Sequence, residues 1–97
     1  MDGRPDEMTE SEKAEQVMAA LRASEGAAPD EALQTLNGLM GLVRSVSDEQ
    51  PLEIEEARSA AFLSICEVGK ALHRKQPTDA LWPAAVSATE RWLALIK

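Results

Sequence analysis

The sequence predicts an all-α fold, a small domain of four helices in a bundle-like or orthogonal arrangement, preceded by a disordered N-terminal tail. Apolar residues recur at spacings of three and four, the period of a helix that is buried on one side. Glycine, proline and short polar residues interrupt this pattern at residues 24–28, 47–51 and 76–79, which divides the chain into four segments. With 44% hydrophobic residues in 97 positions, the composition is that of one folded domain.

Residues 1–8 are predicted to be a flexible tail, and residues 9–97 a single helical domain. The tail is polar and contains Gly3 and Pro5, with no apolar stripe to bury. Thr9 precedes Glu12 by the spacing of a capping box, in which two side chains bond the free N–H groups at a helix start. We therefore expect the first helix over about residues 10–23. Its narrow apolar stripe consists of Ala14, Val17, Met18 and Leu21.

The second helix is predicted over about residues 29–46, with Pro29 in its first turn. On a helical wheel its apolar residues cover about half of the circumference. Gly38 and Gly41 lie inside this helix, where each costs about 1 kcal/mol relative to alanine. Two explanations stay open: the glycines let another backbone approach closely, or the helix is weak, kinked or short at this point.

The third helix is predicted over about residues 52–75 and has the widest apolar arc, which is typical of a central helix with several neighbours. A short turn at residues 79–82 should follow, and then a fourth helix from about Pro83, because proline is tolerated in a first helical turn. The apolar pattern of this helix continues almost to the last residue. We expect Trp92, deep in that pattern, to belong to the core.

The charge of the chain argues against nucleic-acid and membrane partners. The net charge is −7, and residues 1–50 contain 11 acidic and 4 basic side chains, whereas residues 51–97 contain 6 of each. DNA or anionic lipid would repel the first half of the chain, and contacts to phosphate supply much of the affinity of nucleic-acid complexes. The acidic half is open to two interpretations: it attracts a basic partner, or it only keeps the protein soluble.

Few residues of the kinds that carry catalysis are present. The chain has one His, one Cys and no Tyr, whereas acid–base, nucleophilic and metal chemistry each need two or three reactive side chains together. His73 belongs to a basic group at the end of the third helix, which complements the helix dipole or contacts an anion or partner. Cys66 is interpreted as a small hydrophobe, with redox sensing or an intermolecular disulfide bridge as the alternatives. We expect no catalytic, cofactor-binding or metal-binding residue.

An interaction surface is predicted on the second and third helices, because together they carry more apolar surface than their neighbours readily cover. A homodimer is one way to cover this surface. Trp82, beside Pro83 and a loop, is an additional candidate because tryptophan is enriched among residues that dominate binding energy. The candidate interface residues are Leu39, Met40, Val43, Phe62, Leu63, Cys66 and Trp82.

These observations favour a non-enzymatic protein–protein interaction module, a small regulatory or antagonist protein that acts on another protein through a helical surface. One alternative is an acidic inhibitor or immunity-type protein that neutralises a basic enzyme. Another is a small helical enzyme that uses carboxylates. We expect a cytoplasmic location, because the first residues lack the pattern of a secretory signal and no stretch approaches the roughly 18 apolar residues of a membrane span.

Overall fold

Four helices make up the structure, a computed structural model that describes residues 9–45 and 50–96. They are α1 (Glu10–Ser24), α2 (Pro29–Arg44), α3 (Leu52–His73) and α4 (Leu81–Ile96), with no strand in the described residues. The all-α, four-helix prediction is confirmed. The flexible tail predicted for residues 1–8 lies outside the described residues.

The start of α1 has the predicted capping box. The Thr9 hydroxyl oxygen accepts a hydrogen bond from the Glu12 backbone N–H at 3.1 Å, and the Glu12 carboxylate accepts one from the Thr9 backbone N–H at 2.9 Å. Both bonds satisfy N–H groups that have no partner within the helix. The four residues of the predicted α1 stripe are all buried.

In α2 the structure excludes a close approach of another backbone within this chain, and it excludes a break of the helix at the two glycines. The helix continues through Gly38 and Gly41 to Arg44, so it is neither broken nor ended by them. Both glycines are exposed, and a Cβ atom built on either would meet no heavy atom within 4 Å. The backbone of the other helices therefore does not approach them. The predicted end of α2 at residue 46 lies outside the described residues.

The limits of α3 and α4 differ from the prediction by two residues each. α3 ends at His73 because Lys75 adopts a left-handed conformation with φ 58°. The Gln76 N–H then donates to the Ala71 carbonyl at 2.8 Å, and the Lys75 N–H to the Leu72 carbonyl at 3.2 Å, which is the bonding pattern of a Schellman motif.

Trp82 was predicted to lie in a turn before α4, and this prediction is wrong. α4 begins at Leu81, so Trp82 occupies its first turn and Pro83 its third position. The Thr78 carbonyl accepts from the N–H groups of Leu81 and Trp82 at 2.9 and 3.1 Å. Because the first-turn N–H groups have no partner within the helix, the missing donor of Pro83 costs little there.

Each helix packs on two others: α1 on α2 and α4, and α3 on α2 and α4. The start of α1 lies beside the end of α4, and the end of α2 beside the start of α1, so neighbouring helices run in opposite directions. This is a four-helix bundle with up-and-down connections. The largest fully buried side chains are Trp92, Leu21, Leu36, Ile65, Val17 and Val68, with the polar Thr89.

Candidate functional site

The adjoining outer sides of α2 and α3 carry a group of apolar side chains that are exposed or half-buried. We call it the α2–α3 face and define its apolar part as Met40, Phe62, Leu63 and Cys66. Leu63 is 62% exposed, and the other three are half-buried. A single exposed leucine is ordinary in a soluble protein, but four neighbouring apolar side chains form a patch.

Two of the shallow clefts between α2 and α3 border the α2–α3 face. A cleft of about 500 Å³ is lined by Leu33, Asn37, Met40, Cys66, Gly69, Lys70, His73 and Arg74. A second, of about 430 Å³, is lined by Val43, Arg44, Arg58, Ser59, Phe62 and Leu63. The clefts are open, and each is lined by both apolar and basic side chains. Open clefts of this kind are better suited to contact with a protein partner than to enclosing a small substrate.

The two sulfur-containing residues of the α2–α3 face contact each other. Cys66 Sγ lies 3.3 Å from Met40 Sδ, a distance at which the thiol donates a weak hydrogen bond to the thioether. Cys66 is a free, half-buried cysteine. Its contact with Met40 fits the interpretation of a small hydrophobe, and the same position keeps part of it accessible to a partner.

The structure divides the seven candidate interface residues into two groups. Leu39, Val43 and Trp82 are only 6%, 4% and 5% exposed, because they point into the core between the helices. They offer little area to a partner, although Val43 lines the floor of the second cleft. The other four are the apolar part of the α2–α3 face, where the structure brings them together.

The exposed side of α3 changes its charge along its length. Glu53 and Glu56 are exposed near its start, and Glu56 is part of the same outward side as Leu63. Near its end Lys70, His73 and Arg74 are exposed, and Lys70 forms an ion pair with Glu67 at 3.5 Å. This ion pair is exposed at both side chains, so it contributes little to stability and is easily rearranged.

At one end of the bundle, the buried carboxylate of Glu10 joins three segments. Its Oε2 atom accepts from the Trp92 indole N–H at 2.7 Å and from the Arg58 guanidinium at 3.3 Å. Its Oε1 atom accepts from the Gln50 side-chain amide at 2.9 Å. Arg58 also pairs with Glu55, whose carboxylate accepts from the Gln50 backbone N–H at 3.4 Å.

This Glu10 cluster was not predicted from the sequence. Two signals for it were present: Arg58 falls on the apolar side of α3, and a buried Trp92 needs an acceptor for its indole N–H. The acceptor, however, comes from a residue distant in the sequence. Among the described residues, every buried side-chain nitrogen and oxygen has a hydrogen-bond partner, so the cluster presents no unsatisfied group to a ligand.

The described residues hold no group of three or more His, Cys, Asp and Glu side chains that is placed to bind a metal ion. Within the same residues, none of the helices combines the length and apolar character needed to cross a membrane. Comparison of the chain with known protein families, with curated proteins and with solved structures found no match.

Proposed function

We propose that this protein is a non-enzymatic interaction module that binds another protein chain through the α2–α3 face. The observation that carries the proposal is the exposed Leu63 in a patch with three half-buried apolar side chains, above two open clefts. Burying these side chains against a partner removes apolar area from water, which is the main favourable term in protein association.

The polar surroundings of the patch support the same function. Arg44, Ser59 and Lys70 line the clefts and are exposed, so polar side chains border the apolar ones. Protein interfaces have this arrangement, in which a few central side chains supply most of the binding energy and the rim excludes water. If this protein covers a surface of its partner that a third protein would otherwise bind, it prevents that binding. Such competition is a regulatory or antagonist role.

The experiment compares capture of proteins from native lysate by the unmodified chain and by two variants. Leu63→Asp puts a charge in the centre of the α2–α3 face, and Ser87→Asp puts the same charge on the exposed side of α4. We expect Leu63→Asp to reduce partner retention about tenfold or more, and Ser87→Asp to leave it unchanged. Equal retention by all three folded proteins would place binding elsewhere and reject the proposal.

A second candidate, the acidic inhibitor of a basic enzyme, is favoured by the exposed carboxylates around the start of α2. Glu25, Asp30 and Glu31 are all exposed there. Binding through these groups would weaken steeply with ionic strength, whereas apolar docking on the α2–α3 face would not. Retention that disappears in moderate salt and is insensitive to Leu63→Asp would favour this candidate.

A further inference from the structure

We infer that the occupant of the α2–α3 face is a second copy of this chain, paired through α3 in antiparallel orientation about a twofold axis at Leu63. This inference rests on the proposed function and names its partner. Leu63 is the most exposed large hydrophobic residue on the apolar patch, near the middle of α3. In a twofold interface a residue at the axis meets its own copy, so the two Leu63 side chains would cover each other.

The spacing of charges around Leu63 is self-complementary in this arrangement. Glu56 precedes Leu63 by seven residues and Lys70 follows it by seven. Seven residues are about two helical turns, or about 10.5 Å, and return to nearly the same side of the helix. Across an antiparallel pair, Glu56 therefore lies opposite the partner's Lys70, and Lys70 opposite the partner's Glu56. Glu56 and Lys70 are exposed, and Lys70 would exchange its exposed ion pair with Glu67 for the pair with the partner's Glu56.

The next exposed residues outwards fit the same register. Leu52 precedes Leu63 by eleven residues and Arg74 follows it by eleven, which is about three turns on each side. Leu52 is 72% exposed, and it would meet the hydrocarbon part of the partner's Arg74. Arginine side chains cover apolar surface in this way while the guanidinium stays in water. Both large exposed hydrophobic residues of the described chain thus acquire a contact.

The charge distribution favours a second copy over a different protein. Along its exposed side α3 is acidic at its start and basic at its end, so a uniformly basic or uniformly acidic partner would be repelled by one half. An antiparallel copy is attracted by both halves, and the two helix dipoles also oppose each other favourably. Residues 51–97 carry six acidic and six basic side chains, so this part of the chain has no net charge to oppose the pairing.

The test measures sedimentation equilibrium of the full chain and of charge-reversal variants from micromolar to millimolar concentration. We expect the unmodified chain to form a dimer. Glu56→Lys and Lys70→Glu should each weaken it about tenfold, because two attractive contacts become repulsive in the symmetric pair. The double variant Glu56→Lys/Lys70→Glu should regain the dimer. An equimolar mixture of the two single variants should form a heterodimer, because both of its cross-pairs again unite opposite charges.

Circular dichroism checks that all variants keep the helical fold, and Ser87→Asp serves as the control with an unrelated charge change. A monomer at every concentration would overturn the inference. The proposed function would then survive only if lysate capture on the α2–α3 face yields a different protein. A dimer that Leu63→Asp dissociates but the charge reversals leave intact would overturn the antiparallel register. A dimer insensitive to Leu63→Asp would overturn the whole interface.

Discussion

Glu10 shows how one buried charge is made tolerable. Its side chain is 4% exposed, and a carboxylate in that position is costly unless hydrogen bonds and an opposite charge replace water. Arg58 supplies the charge, and Trp92 and Gln50 supply further donors. Glu10 is also the first residue of α1, where the helix dipole favours a negative side chain. The Glu10 cluster therefore connects α1, α3 and α4 through a single carboxylate.

Breaking this cluster should destabilise the protein more than breaking an exposed ion pair. Arg58→Met leaves the Glu10 carboxylate without its counter-charge, and we expect a loss of about 2–3 kcal/mol in the free energy of unfolding. The control is Arg22→Met, which removes an exposed pair with Glu90 and should cost about 0–1 kcal/mol. Urea denaturation followed by tryptophan fluorescence measures both, because Trp82 and Trp92 are buried in the native state.

A double-mutant cycle separates the pairing from simple loss of packing. Glu10→Gln alone should also be destabilising, and Glu10→Gln with Arg58→Met should cost less than the sum of the two single changes, because the second change removes the group that the first left unpaired. Additive costs, or an Arg58→Met cost no larger than that of Arg22→Met, would mean that the cluster contributes only through packing.

Among individual residues, the buried position of Trp92 followed directly from the helical pattern, and the Glu10 cluster did not. A pattern of three and four identifies the buried side of one helix, since it depends only on residues close in sequence. The pairing of Arg58 with Glu10 depends on which helices become neighbours in space. That arrangement is set by the packing of the whole core, so no local pattern indicates it.

At the level of the helices, the predicted elements were correct and their ends were the weakest part. α3 was predicted to reach residue 75, but Lys75 lies beyond its end at His73. In the structure it occupies the left-handed position that normally favours glycine. At the start of α4, the helix was predicted to begin at about Pro83, although a proline is tolerated in the first turn and not only at its first position. Both differences lie at helix ends, where the local sequence is compatible with more than one boundary of the helix.

Replacing the two glycines of α2 by alanine should stabilise the protein. An added Cβ meets no heavy atom within 4 Å at Gly38 or Gly41, so the change gains helix propensity without a clash. We expect about 1 kcal/mol for each substitution, measured as an increased free energy of unfolding in urea. Gln34→Ala is the matched control, exposed on the same helix, and should gain only a few tenths of a kcal/mol.

The glycine variants also report on the surface of α2. A destabilising Gly38→Ala or Gly41→Ala would contradict the open surroundings of these residues in the single chain. The measurement is made at low protein concentration, where self-association through the α2–α3 face is disfavoured. A penalty that appears only at high concentration would place the substituted glycine in the interface between copies.

For the whole molecule, contacts between helices that are distant in sequence complete the bundle. α1 touches both α2 and α4, and side-chain bonds strengthen this closure: Lys13 donates to the Ser45 hydroxyl at 2.9 Å, and Arg22 pairs with Glu90 at 3.2 Å. The sequence predicted four amphipathic helices but not which apolar residues stay outside. Leu39 and Leu63 were both predicted as interface residues, and the packed helices bury the first and leave the second exposed.

Removing residues 92–97 should unfold the protein. The deletion takes away Trp92, which is fully buried, and the partly buried Leu93, Leu95 and Ile96 that pack on the core. Loss of a buried tryptophan alone costs about 3–5 kcal/mol, against a total stability of about 5–15 kcal/mol for a typical domain. The deletion also leaves the Glu10 carboxylate without its shortest hydrogen bond. Circular dichroism during heating should show little helix and no cooperative transition.

Deletion of residues 1–8, for which the sequence predicts no buried stripe, is the comparison and should lower the melting temperature by no more than a few degrees. If the protein without residues 92–97 still melts cooperatively near the temperature of the full chain, then the rest of the bundle forms a stable core, and closure by the end of α4 is not required for folding.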